Sequence, residues 1–286
     1  MRPEYVALTF VTFLWGTSSP VVKAILPEFG AVSFAFWRSL LAGLVMLSIA
    51  YYRRSALPSR EAIGPLLFLG LAGQFPSALF WLMALERSPA SVIGVISNIS
   101  PIFIALGATF LLGERINRWA IGGMLAACLG VWIMITGGNP ARLATVQWTG
   151  PLLAILGAMA WALFTLAGRK LIGKFDAAML SALSMFVATL AYLVMAIVWT
   201  GQVDISVSMN GVLWLLYLSL LPTGIGNTVW YVCLGRLDAA KVAVFQYLTP
   251  MWVVIVAWLF LGEPLSWPLI VGTALVLSGV RLAQRV

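Results

Sequence analysis

The chain contains no histidine, two cysteines and only nine acidic residues in 286. Without histidine it lacks the commonest general base and the commonest metal ligand. Cys128 and Cys233 both fall in apolar stretches, where thiols are buried packing residues rather than a disulfide or a redox pair. Glu4, Glu28, Glu61, Glu86, Glu114, Asp176, Asp204, Asp238 and Glu263 all lie at the ends of apolar stretches or between them. No carboxylate therefore stands at mid-membrane as a proton carrier or a partner for a cation. No G-x-x-x-x-G-K-[ST] pattern occurs, which removes ATP hydrolysis by that route. For an intramembrane enzyme only a Ser-Lys arrangement such as Ser19 with Lys23 remains, with little to support it. The sequence reads as no enzyme, with no cofactor and no metal.

What is present is hydrocarbon. The chain is 62% hydrophobic and 9% charged, with a mean hydropathy of +1.02, against roughly a quarter charged in a soluble domain. Ten apolar stretches approach the length that crosses a bilayer, about 20 residues: 6–25, 31–52, 63–84, 90–112, 118–136, 151–171, 177–199, 210–234, 240–261 and 267–284. Arg2 and the apolar run from Val6 mimic a secretory signal, but the run continues without a small-x-small cleavage pattern and is read as a span.

Charge placement orients these spans. With the N-terminus inside, Arg2, Arg53, Arg54, Arg60, Arg115, Arg118, Arg169, Lys170, Lys174, Arg236, Lys241, Arg281 and Arg285 are cytoplasmic. Only Lys23, Arg87 and Arg142 are opposite, with Arg38 inside the second span. That asymmetry predicts both termini in the cytoplasm, and the net charge of +8 then needs no nucleic acid to explain it.

"SPIFIALGATFLLGE" (100–114) is echoed by "TPMWVVIVAWLFLGE" (249–263). A shift of 149 lays Trp81, Leu85, Arg87, Pro101, Leu112, Gly113 and Glu114 over Trp230, Leu234, Arg236, Pro250, Leu261, Gly262 and Glu263. Near the start of each half the shift is 146, with Trp15 opposite Trp161. The chain is thus expected to be an all-α membrane protein of ten transmembrane helices in two five-helix repeats, residues 1–137 and 151–286, joined by a linker at 138–150. Five is odd, so the second repeat is inverted, an arrangement that recurs in secondary transporters.

The five-plus-five layout, the opening "LWGTSSPVVKAIL", "FAFWRSLLAG" in the second span and the "LLGE" and "FLGE" endings of the fourth and ninth resemble the EamA-type branch of the drug/metabolite transporter superfamily over essentially the whole chain. The aromatic-rich spans are also similar to the bacterial exporters of aromatic amino acids in that branch. The resemblance implies a ten-helix transporter of the inner membrane with a central cavity formed by both halves.

Polar side chains in hydrocarbon face a partner helix or a cavity. On the eighth span Thr223, Asn227, Trp230 and Tyr231 share one helical face, and the third repeats this with Gln74, Ala78 and Trp81. Trp15, Ser18 and Ser19 on the first span match Trp161, Phe164 and Thr165 on the sixth. Ser97-Asn98 matches Gln246-Tyr247 just before Pro101 and Pro250. Taken alone, each such residue equally fits helix glue or an interfacial belt. Together, Trp15, Ser19, Gln74, Ala78, Trp81, Asn98, Trp161, Thr165, Asn227, Trp230, Gln246 and Tyr247 are the expected substrate contacts.

Aromatic walls with a few neutral hydrogen-bonding groups suit small amphipathic solutes, above all aromatic and other neutral amino acids. Sugar phosphates and nucleotides would favour several buried Lys or Arg, and only Lys23, Arg38 and Lys241 are candidates. For Arg38, snorkelling to the outer headgroups or pairing with a carbonyl is favoured over holding a substrate carboxylate. Aromatic organic cations are the alternative cargo; a receptor that binds without transfer is a third class. With no intramembrane acid, export is expected to be downhill and uncoupled.

Pro101 and Pro250 remove helix hydrogen bonds and mark expected hinges at Ser100 and Thr249. Glu114 and Glu263 are read as favouring the N-terminal end of the helix that follows each, rather than as a gate. The stripe Gly122-Gly123-Ala126-Ala127-Gly130 is read as internal packing and the chain as a monomer in the bilayer.

Overall fold

The computed structural model describes residues 3–55, 57–100, 102–104, 106–107, 118–145, 147–172, 177–203, 207–234, 245 and 248–283. Among these residues the regular structure is entirely helical. The helices are α1 (Pro3–Phe29), α2 (Ala31–Tyr52), α3 (Ile63–Phe68), α4 (Phe75–Arg87), α5 (Ala90–Ser97), α6 (Arg118–Thr136), α7 (Thr149–Ile172), α8 (Ala177–Thr200), α9 (Met209–Leu218), α10 (Asn227–Leu234), α11 (Leu248–Leu261) and α12 (Trp267–Ala283). Among the described residues six helical segments are long and apolar enough to cross a membrane, and Ala90–Ile104, Ile121–Thr136, Leu248–Leu261 and Trp267–Leu282 are shorter apolar helices. Together they correspond to the ten stretches expected.

The bundle wears its large apolar side chains outside. Phe260 is 78% exposed, Trp199 64% and Leu190 63%, while Ser18, Ser19, Ser184 and Ser219 are buried. Such a surface suits hydrocarbon rather than water, and small residues inside let helices approach closely. α6 crosses α12 where a Cβ on Gly130 would lie 2.6 Å from the Gly272 carbonyl. Gly123 and Ala127 likewise back onto Gly279, so the small-residue stripe is used within the chain. Of the two thiols, Cys233 is buried as expected, but Cys128 is exposed on α6, on the side away from that crossing.

α2 packs on α8, α4 on α7, α5 on α11, and α1 on α11 and the eighth span. Among the described residues, two spans are interrupted by π-helical turns. The third is interrupted by a π-helical turn at Leu69–Gln74 between α3 and α4, and the eighth by another at Ser219–Gly226 between α9 and α10. Both carry two glycines and have a proline within or just after them, Pro222 and Pro76. Proline has no N–H for the carbonyl four residues back, and glycine tolerates the widened turn.

Charges tie helix ends together at one end of the bundle. Lys23 on α1 donates to the Leu85 carbonyl and, at 3.1 Å, to that of Ser88, at the C-terminus of α4. Glu28 accepts from the Ser208 amide at 3.0 Å and its hydroxyl at 2.7 Å, and Ser208 in turn caps α9. Glu263 corrects an expectation. Its carboxylate takes the amides of Ala90 (2.6 Å) and Ser91 (3.0 Å) and the Ser91 hydroxyl, so it caps α5 from the opposite half of the chain and not the helix that follows it.

Candidate functional site

The interruption in the eighth span gathers side chains from three other spans. Pro222 has no N–H for the Leu218 carbonyl, and the Thr223 hydroxyl donates there at 2.8 Å. The oxygen of that hydroxyl accepts from Arg38 on α2, at 3.2 Å from Nε and 3.0 Å from Nη2. One donor and two accepted bonds use its full capacity. The Arg38 guanidinium also lies 5.3 Å from the ring centroid of Trp81 on α4, a cation-π contact. On the other side of Pro222, its carbonyl accepts from the Trp15 indole at 2.9 Å, and the Trp15 ring meets that of Trp230 at 4.9 Å. Thr17 on α1 bonds Tyr217 on α9 at 2.7 Å. Aromatic faces, a cation and hydroxyls thus converge on one turn of backbone.

The third span is built to the same plan with different chemistry. Tyr192 on α8 donates to the Phe75 carbonyl at 2.7 Å, and the two rings meet at 4.8 Å. Tyr192 is fully buried. Both turns seat a valine on a glycine. A Cβ on Gly224 would come within 2.8 Å of Val45 Cγ1, and one on Gly70 would come closer still to Val187.

The sequence-predicted residues divide between these places. Trp15 and Trp230 are together, and Trp81 joins the same turn through Arg38. Asn227 follows the π turn as the first residue of α10, half-buried. Ser19 is buried on α1. Gln74 closes the third-span π turn, and Ala78 packs on the core one helical turn beyond. Trp161 does not join Trp15. It stacks on Phe164 at 5.4 Å and packs with Leu66 and Leu69 of the third span, and Thr165 bonds back to the Trp161 carbonyl at 2.9 Å. Asn98 likewise turns to its own helix, donating to the Gly94 carbonyl at 2.7 Å.

Gln246, Tyr247 and Pro101 lie outside the described residues. α5 ends at Ser97 with a turn at Asn98 and Ile99, just before the expected bend at Ser100. α11 runs from Leu248 to Leu261 with Pro250 in its first turn. Arg38 reaches a hydroxyl and an indole face rather than headgroups or a carbonyl. Sequence reasoning missed this grouping. The available signal was the pair of Gly/Pro-interrupted apolar segments, "GLAGQFP" and "LLPTGIG", at corresponding places in the two halves.

The chain belongs to the EamA-like transporter family, whose model matches residues 2–136 and again 148–284. It is thus a multi-pass membrane transporter of small molecules rather than an enzyme. It is 27% identical to an uncharacterized transporter of Archaeoglobus fulgidus, over 97% of this chain and 96% of that one. A probable amino-acid metabolite efflux pump of Salmonella typhimurium is 27% identical over 94% of this chain and 91% of its own. A probable terminal-alkyne amino-acid exporter of Streptantibioticus cattleyicolor is 25% identical over 98% and 92%. One crystal structure of a protein superposes with a TM-score of 0.70 at 18% identity, covering 98% of this chain and 95% of its own, a likeness of fold alone.

Proposed function

We propose that the protein exports small amphipathic metabolites, chiefly aromatic and other neutral amino acids, across the inner membrane. Transport is by alternating access through a central cavity between two inverted five-helix repeats, residues 1–137 and 151–286. The observation that carries this reading is the convergence of Trp15, Trp81, Trp230, Arg38 and Thr223 on the broken eighth span. Discontinuous helices at the junction of two repeats are where transporters bind solute. Two relatives named for amino-acid export or efflux agree with it.

Support for inverted repeats comes from reciprocal packing. Second on seventh, fourth on ninth and fifth on tenth are pairs of repeat mates, and third on sixth is answered by eighth on first. In this reading both termini are cytoplasmic, the Glu263 end faces outward, and the chain works as a monomer whose small-residue stripe is occupied internally. Bending of the fourth and ninth spans near Pro101 and Pro250 opens each side in turn. Transport is uncoupled, and accumulation driven by a pH gradient in vesicles of purified protein would contradict that. Organic cations, the alternative cargo, would bring positive charge against Arg38, which disfavours them.

The test is flux of radiolabelled phenylalanine, tryptophan, threonine and an aromatic organic cation through the purified protein in sealed liposomes. Saturable amino acid flux, lost in folded W230A or N227A protein, supports the proposal. Flux of the cation alone would move it to drug export, and binding without flux would make the protein a receptor.

A further inference from the structure

We propose that Arg38 is the anchor for a single carboxylate on the transported solute, so that the cargo is a monocarboxylate. The inference rests on the export reading above and names the chemical class of its substrate.

Arg38 lies seven residues into α2, about 10 Å from the helix start at 1.5 Å per residue. A charge at that depth in hydrocarbon is costly unless it is paired. No carboxylate pairs with it among the described residues, and every acid in the sequence falls at the end of an apolar stretch or between two. The guanidinium has five N–H groups. Thr223 takes two of them at one oxygen, which leaves three without an acceptor among the described residues. Arg38 as a residue is only half-buried, so it is not sealed within the packed core.

A purely structural arginine would be satisfied by the protein. Lys23 is such a group, engaged by the carbonyls that end α4. Tyr192 is another, sealed at the third-span turn with its hydroxyl bonded. Arg38 is instead oriented by Thr223, steadied by the Trp81 face, and left with donors that match the two oxygens of a carboxylate. The aromatic pair Trp15 and Trp230 flanks the same turn through the Pro222 carbonyl and offers rings to an apolar side chain. One guanidinium neutralises one negative charge. A phosphate dianion would carry a second buried charge, and among the described residues the other candidate cation, Lys23, is already engaged.

The test uses the purified protein in sealed liposomes, with phenylalanine uptake challenged by 3-phenylpropionate, by phenylalaninamide and by inorganic phosphate. The expected result is competition by phenylpropionate and none by the amide or by phosphate. In R38Q, phenylalanine uptake at low concentration falls about 10- to 100-fold, as expected for a lost charge-assisted bond. R38K, which keeps the charge but loses the fork, falls in between. Thermal unfolding in detergent establishes that the variants fold, and the competition experiment needs no variant.

Equal competition by acid and amide, competition by phosphate, or unchanged uptake in folded R38Q overturns the anchor and leaves amino acid export standing. If phenylalanine is not moved at all, the export reading falls. Titration of tryptophan fluorescence with phenylpropionate then decides the anchor separately: saturable quenching weakened in R38K and lost in R38Q supports it, and no binding, or binding unchanged in R38Q, overturns it.

Discussion

The third and eighth spans are interrupted in the same way and used differently. Each widens into a π turn with two glycines and a nearby proline, and each seats a valine from the second or seventh span on one glycine. Each also receives one long polar side chain from that neighbour. At the third span it is Tyr192, neutral, fully buried and bonded to the Phe75 carbonyl. At the eighth it is Arg38, charged, half-buried and left with donors to spare. A shared backbone plan thus supports one closed, self-satisfied joint and one charged joint with donors unmet among the described residues. In the proposed reading, the shape of the turn belongs to the scaffold and the side chain that reaches it decides where solute binds.

If the shared plan is structural, its glycines are equally indispensable. Gly70→Leu and Gly224→Leu are each expected to destabilise the fold by on the order of 3 kcal/mol, because the added atoms meet Val187 or Val45. Thermal unfolding in detergent checks this, and a wild-type midpoint in either would break the parallel. Thr223→Val separates the joints next. It removes the oxygen that orients Arg38, and phenylalanine flux should drop roughly 30-fold for a loss of about 2 kcal/mol. Flux equal to wild type would show that Arg38 needs no such support.

Two smaller effects are controls. Glu263→Gln touches neither joint but weakens the cap on α5, so about 1.5 kcal/mol of stability should be lost with acid-over-amide selectivity kept. A selectivity change would mean that it reflects general looseness rather than Arg38. Tyr192→Phe deletes one neutral hydrogen bond and should cost about 1 kcal/mol, seen as a slightly lower unfolding midpoint with transport kinetics intact. Transport lost in that variant would make the closed joint part of the pathway.

Much of this architecture is readable from hydropathy. The second and fifth spans cover the residues expected of them, Ala31–Tyr52 and Arg118–Thr136, because uniform apolar runs between Gly, Pro or Arg leave little choice of boundary. The eighth span was harder. A single helix over 210–234 puts Thr223, Asn227 and Trp230 on one stripe, but the π turn at Ser219–Gly226 resets the register. Thr223 then meets Arg38 while Trp230 meets Trp15. Trp161, the repeat mate of Trp15, stacks on Phe164 in an apolar cluster separate from the Trp15 and Trp230 pair. A repeat repeats helices more faithfully than side-chain neighbourhoods. Glu263 shows the same limit, since only the folded chain brings it to Ala90 and Ser91 across 173 and 172 residues.

The most direct test of a solute site at the eighth-span turn is a crystal structure grown with phenylalanine. The account predicts the carboxylate within hydrogen-bond reach of Arg38 and the ring among Trp15, Trp81 and Trp230. Phenylalanine seated at the Phe75 and Tyr192 joint, with Arg38 untouched, would contradict it.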